Sequence, residues 1–156
     1  MRDSADDIQV VTFRIGDQEF AFDIQQVERI LRYEKPAPVP SAPDFLEGVV
    51  PYEGGVVPVL DLRKRLELPA VIADETRLMV LRLDDQRIGA LVDSVREIMR
   101  VDSTTISAPP PIVRGLAAAY IAGIITRPGR TILVLNAPRL LNATERLALA
   151  AVGAGA

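Results

Sequence analysis

The side chains in this chain that could move a proton at neutral pH are almost all carboxylates. The 156 residues contain no histidine and no cysteine. That removes the commonest general base, the usual nucleophilic triads, thiolate chemistry, disulfides and most zinc sites. Two carboxylate pairs could in principle act as acid and base, Asp84 with Asp85 and Asp17 with Glu19. Each sits on a short turn where neighbouring side chains point apart, and turn propensity alone accounts for Asp there. One further carboxylate stands out. In GVVPYEGGVVPVLDLRKR (48–65), Glu53 lies on a turn between two apolar runs. Nothing in the stretch looks catalytic, which leaves the role of this lone carboxylate open.

The elements that would position these residues read mainly as strands. Apolar residues make up 49% and aromatics 4%, so the core must be built from Val, Ile and Leu, a composition that favours strands. VVTFRIGDQEFAFDI (10–24) predicts a hairpin, and IQQVERIL after it predicts a short amphipathic helix through Ile24, Val27, Ile30 and Leu31. Pro36, Pro38, Pro40 and Pro43 form a stiff connector. A second hairpin turns at Glu53-Gly54-Gly55, and Asp61 caps a helix over 62–68 whose Arg63-Lys64-Arg65 reads as a solvated face. The order then recurs: a hairpin over 77–93, the strand SVREIMRV, the connector SAPPPIV (107–113), and a hairpin over 120–136. A C-terminal helix follows, capped by Asn136.

This recurrence is an internal repeat. FRIGDQEFAFDIQQVERIL lies on LRLDDQRIGALVDSVREIM with a shift of 68, and GVVPYEGGVVPVLDLRKRL lies on GIITRPGRTILVLNAPRLL with a shift of 75. Short strands joined by tight turns predict small closed barrels, and two similar halves predict a groove between them. Gly48, Gly54, Gly123 and Gly129 read as turn or close-packing glycines. The net charge of −3, with scattered basic residues and no interleaved aromatics, argues against nucleic acid. The acidic start MRDSADDIQVV is no signal peptide, and the longest apolar run, 115–125, is too short to span a bilayer. The expected setting is cytoplasmic, with no direct membrane insertion.

Several pieces taken together resemble the CheW family of chemosensory coupling proteins. They are F-x-I-G-D-Q-E-F-A-F-D-I-x-x-V (13–27), F-L-E-G-V-V (45–50), G-x-V-V-P-V-L-D-L-R-K-R (54–65), I-G-A-L-V-D-x-V (88–95) and Y-I-A-G-I (120–124). The resemblance implies a mainly β fold of two small SH3-like five-stranded barrels from an internal duplication, with short helices and a C-terminal helix. The expected boundaries are a flexible start (1–9), one CheW-like domain (10–152) and a flexible tail (153–156). Within the domain they are a first barrel near 10–70, a second near 77–136 and the helix at 137–152.

The resemblance further implies a function without catalysis or cofactor. Such proteins bind the cytoplasmic tip of a chemoreceptor and the regulatory domain of a CheA-type histidine kinase. The receptor-groove candidates are Val27, Arg29, Gly48, Glu53 and Val56, and the kinase-docking candidates are Val39, Phe45 and Leu46. Read from the residues alone, Val27, Ile30 and Leu31 are core before they are groove, and Val39, Phe45 and Leu46, in the Pro-rich loop, are a satellite core cluster before they are a docking patch. Where typical members read Asn-Leu-Arg-Gly, this chain has Pro51-Tyr52-Glu53-Gly54; where they read Val-x-Glu-Ile, it has Val27-Glu28-Arg29-Ile30. A charge pair with exchanged signs is expected. A peptide- or ligand-binding barrel outside any kinase pathway is the alternative.

Overall fold

The computed structural model describes residues 7–108 and 120–154. Ten strands carry the fold: β1 (Asp7–Ile15), β2 (Gln18–Asp23), β3 (Val27–Arg32), β4 (Leu46–Tyr52), β5 (Gly55–Asp61), β6 (Arg77–Leu83), β7 (Gln86–Val92), β8 (Ser94–Asp102), β9 (Ile121–Arg127) and β10 (Arg130–Leu135). Two helices, α1 (Leu62–Arg65) and α2 (Ala143–Ala154), complete it. The expected mainly β fold with a duplicated five-stranded unit is present.

The strands are not divided near residue 70 as expected. One sheet runs β8-β1-β2-β10-β9 and the other β3-β6-β7-β5-β4. Each sheet takes its first hairpin from one repeat and its other three strands from the other repeat. The repeat offsets carry one strand order onto the other, so the duplication is real but the two copies exchange strands. The contacts that join the two repeats within each sheet include a parallel pair, β2 with β10 in one and β5 with β7 in the other. A parallel pair cannot be closed by a tight turn, so long connections between the sheets are required.

Other expectations are corrected as well. The helix over 24–31 is a 3-10 turn (Ile24–Gln26) followed by β3. The register of β3 on β6 slips between Val27 and Arg29, which leaves Glu28 as the extra residue of a bulge. That insertion breaks the two-residue alternation and makes the apolar spacing look helical. Arg96 occupies the equivalent bulge where β8 pairs with β1. Helix α1 ends at Arg65, because Glu67 turns into the left-handed region at φ +59. Asn136 makes no side-chain cap; instead Asn142 and Glu145 cap α2 reciprocally, at 2.8 and 3.0 Å. Strand β1 includes residues 7–9, expected to be flexible. At the other end α2 extends to Ala154, while residues 155–156 and most of the second Pro-rich connector lie outside the described residues.

The apolar residues form three cores. Val50, Val57, Val59, Leu78, Val80 and Leu91 fill the inside of the β3–β7 barrel, and Val10, Ala21, Val101, Ile125 and Ile132 fill the other. The largest core lies between the two sheets, around Phe13, Phe22, Leu62, Leu81 and Ile88. The space expected to be a groove between the halves is thus packed, and only its rim can face a partner.

Arg63 is the other departure. It is 1% exposed rather than solvated. Its guanidinium meets Asp61 through two bonds, at 2.9 and 3.0 Å, and donates to Asp93 Oδ1 at 3.2 Å and to the Val71 carbonyl at 2.6 Å. Asp61 also accepts from the Arg63 amide at 3.0 Å and so caps α1 as expected. Replacing Arg63 with Met should leave the buried Asp61 carboxylate without a counter-charge and cost about 3–5 kcal/mol, read as a lowered midpoint in urea unfolding. An unchanged midpoint would mean that the network contributes nothing to stability.

Candidate functional site

The expected Arg29–Glu53 pair forms, at one end of the β3–β7 barrel. Arg29 Nη2 lies 3.7 Å from Glu53 Oε2, with side chains 56% and 48% exposed. At that exposure and distance the pair contributes at most about 1 kcal/mol to stability. Glu53 and Gly54 are the two central residues of the β4–β5 hairpin, with φ of +47 and +80. A turn of that kind favours Asn-Gly. Glu at its first position is a local disadvantage that the backbone does not explain.

Behind this pair lies a second carboxylate that the sequence reading passed over. Glu28, turned by its bulge, is only 12% exposed. It accepts from the Tyr52 hydroxyl at 2.5 Å, from Arg87 Nε at 2.9 Å and from Arg82 Nη2 at 3.2 Å. Tyr52 is in contact with two cations in turn: the guanidinium carbons of Arg29 and Arg87 each lie 5.9 Å from its ring centroid. Arg82 and Arg87 stand directly opposite each other across β6 and β7. Two like charges in that register repel, and Glu28 is what holds them together. A signal was available. With only Asp84 and Asp85 between the strands, Arg82 and Arg87 must face each other, and such a pair needs a carboxylate.

The electrostatics follow from these contacts. The Tyr52 hydrogen bond, helped by those of Arg87 and Arg82, holds the Glu28 carboxyl below its ordinary 4.5 against the opposing effect of burial. The same bond, with burial, pushes the Tyr52 hydroxyl above its ordinary 10.0. In the other barrel, Arg130 bonds Glu19 at 2.7 and 2.9 Å and lowers its carboxyl likewise.

The remaining candidates are scattered around this end and the rim. Val56 is 40% exposed on β5. Val27 is half-buried and packs on the rim of the central core, as do Phe45 and Leu46, so these three are partly core residues. Phe45 lies under the Arg65 guanidinium, 5.7 Å from its centroid. Val39 is half-buried in the connector, where its carbonyl accepts from Ala42 at 3.1 Å. Gly48 is buried, and a Cβ there would lie 2.3 Å from the Ala37 carbonyl oxygen. The connector crosses β4 at that point, through paired bonds between Ala37 and Val49 of 2.8 and 2.9 Å. Gly48 can shape a binding surface but has no side chain to offer one. Asp84 pairs with Arg146 at 3.0 Å, which gives that turn carboxylate a structural partner. No group of residues suited to hold a metal ion occurs among the described residues, and none of the described helices is long and apolar enough to cross a membrane.

Comparison with known proteins fits this architecture. The family model for the CheW-like domain matches residues 9–145. The chain belongs to the CheW-like family. It is 31% identical over 135 residues to the chemotaxis protein CheW of Bacillus subtilis, covering 86% of each chain. It is 33% identical over 141 residues to the protein FrzA of Myxococcus xanthus, covering 88% of each. The crystal structure of the scaffolding protein TtCheW from Thermoanaerobacter tengcongensis superposes with a TM-score of 0.80 at 25% identity, covering 88% of this chain and 94% of that one.

Two predictions follow from the geometry. Because the folded Glu28 and Glu19 carboxyls sit below 4.5, their stabilisation is complete above that pH and is lost as pH falls through the folded values. Thermal midpoints should therefore hold from neutral pH down to about 5 and fall below it. Glu28→Gln should flatten that acid limb, and an acid limb as steep as the wild type's would contradict the assignment. Gly48→Ala should cost at least about 2 kcal/mol in denaturant unfolding, from overpacking against Ala37 and strain at φ +140.

Proposed function

We propose that this CheW-like protein is a non-catalytic adaptor that couples chemoreceptors to a CheA-type histidine kinase in a chemosensory array. The observation that carries the reading is the family match over 9–145, supported by likeness to proteins named for chemotaxis and for scaffolding. The sequence supplies no histidine or cysteine for catalysis, and the carboxylates described above are committed to capping, turns and ion pairs. On this reading the chain works at the cytoplasmic face of receptor arrays and inserts no segment into the membrane.

Two surfaces serve the two partners. Arg29, Glu53 and Val56, with Val27 at the rim and Gly48 shaping the strand beneath, face the receptor tip. Val39, Phe45 and Leu46, along the connector and the adjoining rim, face the regulatory domain of the kinase. The exposed Arg29–Glu53 pair acts on partner choice more than on stability, since like charges across an interface penalise the wrong partner. Exchanged signs relative to typical family members suit this chain to its own receptor.

Titration of the purified protein against a CheA regulatory domain and a receptor cytoplasmic tip from the same genome tests the reading. Saturable binding of both is expected. No binding of the kinase domain at high micromolar concentration would remove the kinase half of the proposal. The double exchange Arg29→Glu with Glu53→Arg should broaden binding towards receptors of standard CheW systems. Unchanged binding to both receptor kinds would sink the specificity argument.

A further inference from the structure

The guanidinium cluster at the end of the β3–β7 barrel has more hydrogen-bonding capacity than the chain itself uses. Each guanidinium carries five N–H donors. Among the described residues, Arg87 donates to a carboxylate only through Nε, and Arg82 only through Nη2. Arg29 makes no side-chain hydrogen bond among the described residues, its approach to Glu53 being 3.7 Å. All three are about half exposed, at 52%, 58% and 56%.

These groups are also fixed in place. Glu28 grips Arg82 and Arg87 from a site only 12% exposed, and Arg29 and Arg87 each approach the Tyr52 ring to 5.9 Å from its centroid. Long side chains ordinarily lose freedom when they bind, and here much of that loss is already incurred on folding. Beside them runs a cleft of about 590 Å³ in which Val56, Pro58 and Leu149 supply apolar walls and Arg82 and Arg87 one side. Asp84 and Asp85 line it too; Asp84 is held by Arg146 at 3.0 Å, and Asp85 stands on the turn.

We infer that Arg82 and Arg87, held by Glu28, are the specificity-determining residues of this face and read a carboxylate on the partner, whose neighbouring aliphatic side chain seats in the cleft. A planar fork of donors matches a carboxylate better than a neutral acceptor. An apolar wall beside it explains why Val56 stays exposed on β5. The inference rests on the adaptor reading above and names the occupant as an acidic, partly aliphatic segment of the receptor tip. Glu28 is a positioning residue, touching the partner only through the two arginines.

The test is titration of the full chain and its variants with a receptor cytoplasmic tip and a CheA regulatory domain from the same genome, at about 50 and 300 mM salt. Wild type should bind the receptor with marked salt dependence. Arg82→Gln with Arg87→Gln should weaken receptor binding about tenfold or more and flatten the salt dependence, while kinase affinity stays within about twofold. Arg82→Lys with Arg87→Lys, which keeps charge but not the fork, should recover only part of the loss. Glu28→Gln should fall between, with both charges present but loosely held. A single cooperative unfolding transition well above the assay temperature, even at a lowered midpoint, establishes that the arginine variants fold. A folded double Gln variant with wild-type receptor affinity overturns the inference. So does loss of kinase binding instead of receptor binding, or full recovery by the Lys variant. If wild type binds neither partner, the adaptor reading itself fails, which distinguishes the two failures.

Discussion

The structure depends on a single buried guanidinium. Arg63 is the second residue of α1, yet it reaches Asp61 at the end of β5, Asp93 just past β7 and the carbonyl of Val71 in the loop leading to β6. Asp93 carries the link onward, accepting from the Gly16 amide at 2.7 Å in the β1–β2 turn of the other sheet. One side chain therefore ties the exit of β5, the exit of β7, a long loop and the facing sheet. A buried charge is tolerable only where its partners are fully satisfied, so this geometry admits little variation. It fixes how the sheets meet across their shared core, and hence which residues reach the rim.

The network has no counterpart in the second repeat. The positions equivalent to Asp61 and Arg63 are Asn136 and Pro138, and Asn136 makes no cap. The duplication preserved strand order, bulges and glycines, but one buried ion pair sets the two ends of the molecule apart. The barrel ends differ in charge as well. At the equivalent bulges, Glu28-Arg29 stands in one barrel and Arg96-Glu97 in the other, and Arg87 in one corresponds to Glu19 in the other. The same backbone device thus presents opposite charges at its two ends. A duplicated fold with unlike ends can address unlike partners, which is what an adaptor must do.

The fold was largely legible. Hairpins at Gly16-Asp17, Glu53-Gly54 and Asp84-Asp85 announced themselves through turn residues and alternating apolar runs, and all are present. The misread elements have two causes. Around Val27 a bulge altered the period, and around Leu66 a left-handed residue stopped a helix that composition would have continued. The first is imposed by pairing with the distant β6, and the second is a local stop in which the Glu67 and Leu68 amides bond the Lys64 and Arg63 carbonyls at 3.0 and 2.8 Å. The site was half legible: Arg29 and Glu53 emerged as a pair from the resemblance to the CheW family, whereas Glu28 did not, because nothing local says that a bulge turns it inward beneath Tyr52.

By itself the sequence determined the strand content, the duplication and the exclusion of histidine and thiol chemistry, since these follow from composition, two-residue alternation and offset identity. It also determined the family. Only the tertiary structure decided that the repeats exchange strands, that the space between the sheets is core rather than groove, and that Arg63 is buried while Arg82 and Arg87 are held at the surface. Each of those depends on contacts between residues far apart in the chain. An arginine's placement is set by where its carboxylates fall in space, and Asp93 lies 30 positions from Arg63 while Glu28 lies 59 from Arg87. Local pattern carries no information about such a distance, and the free energy that decides it is the desolvation of a charge against the partners the fold provides.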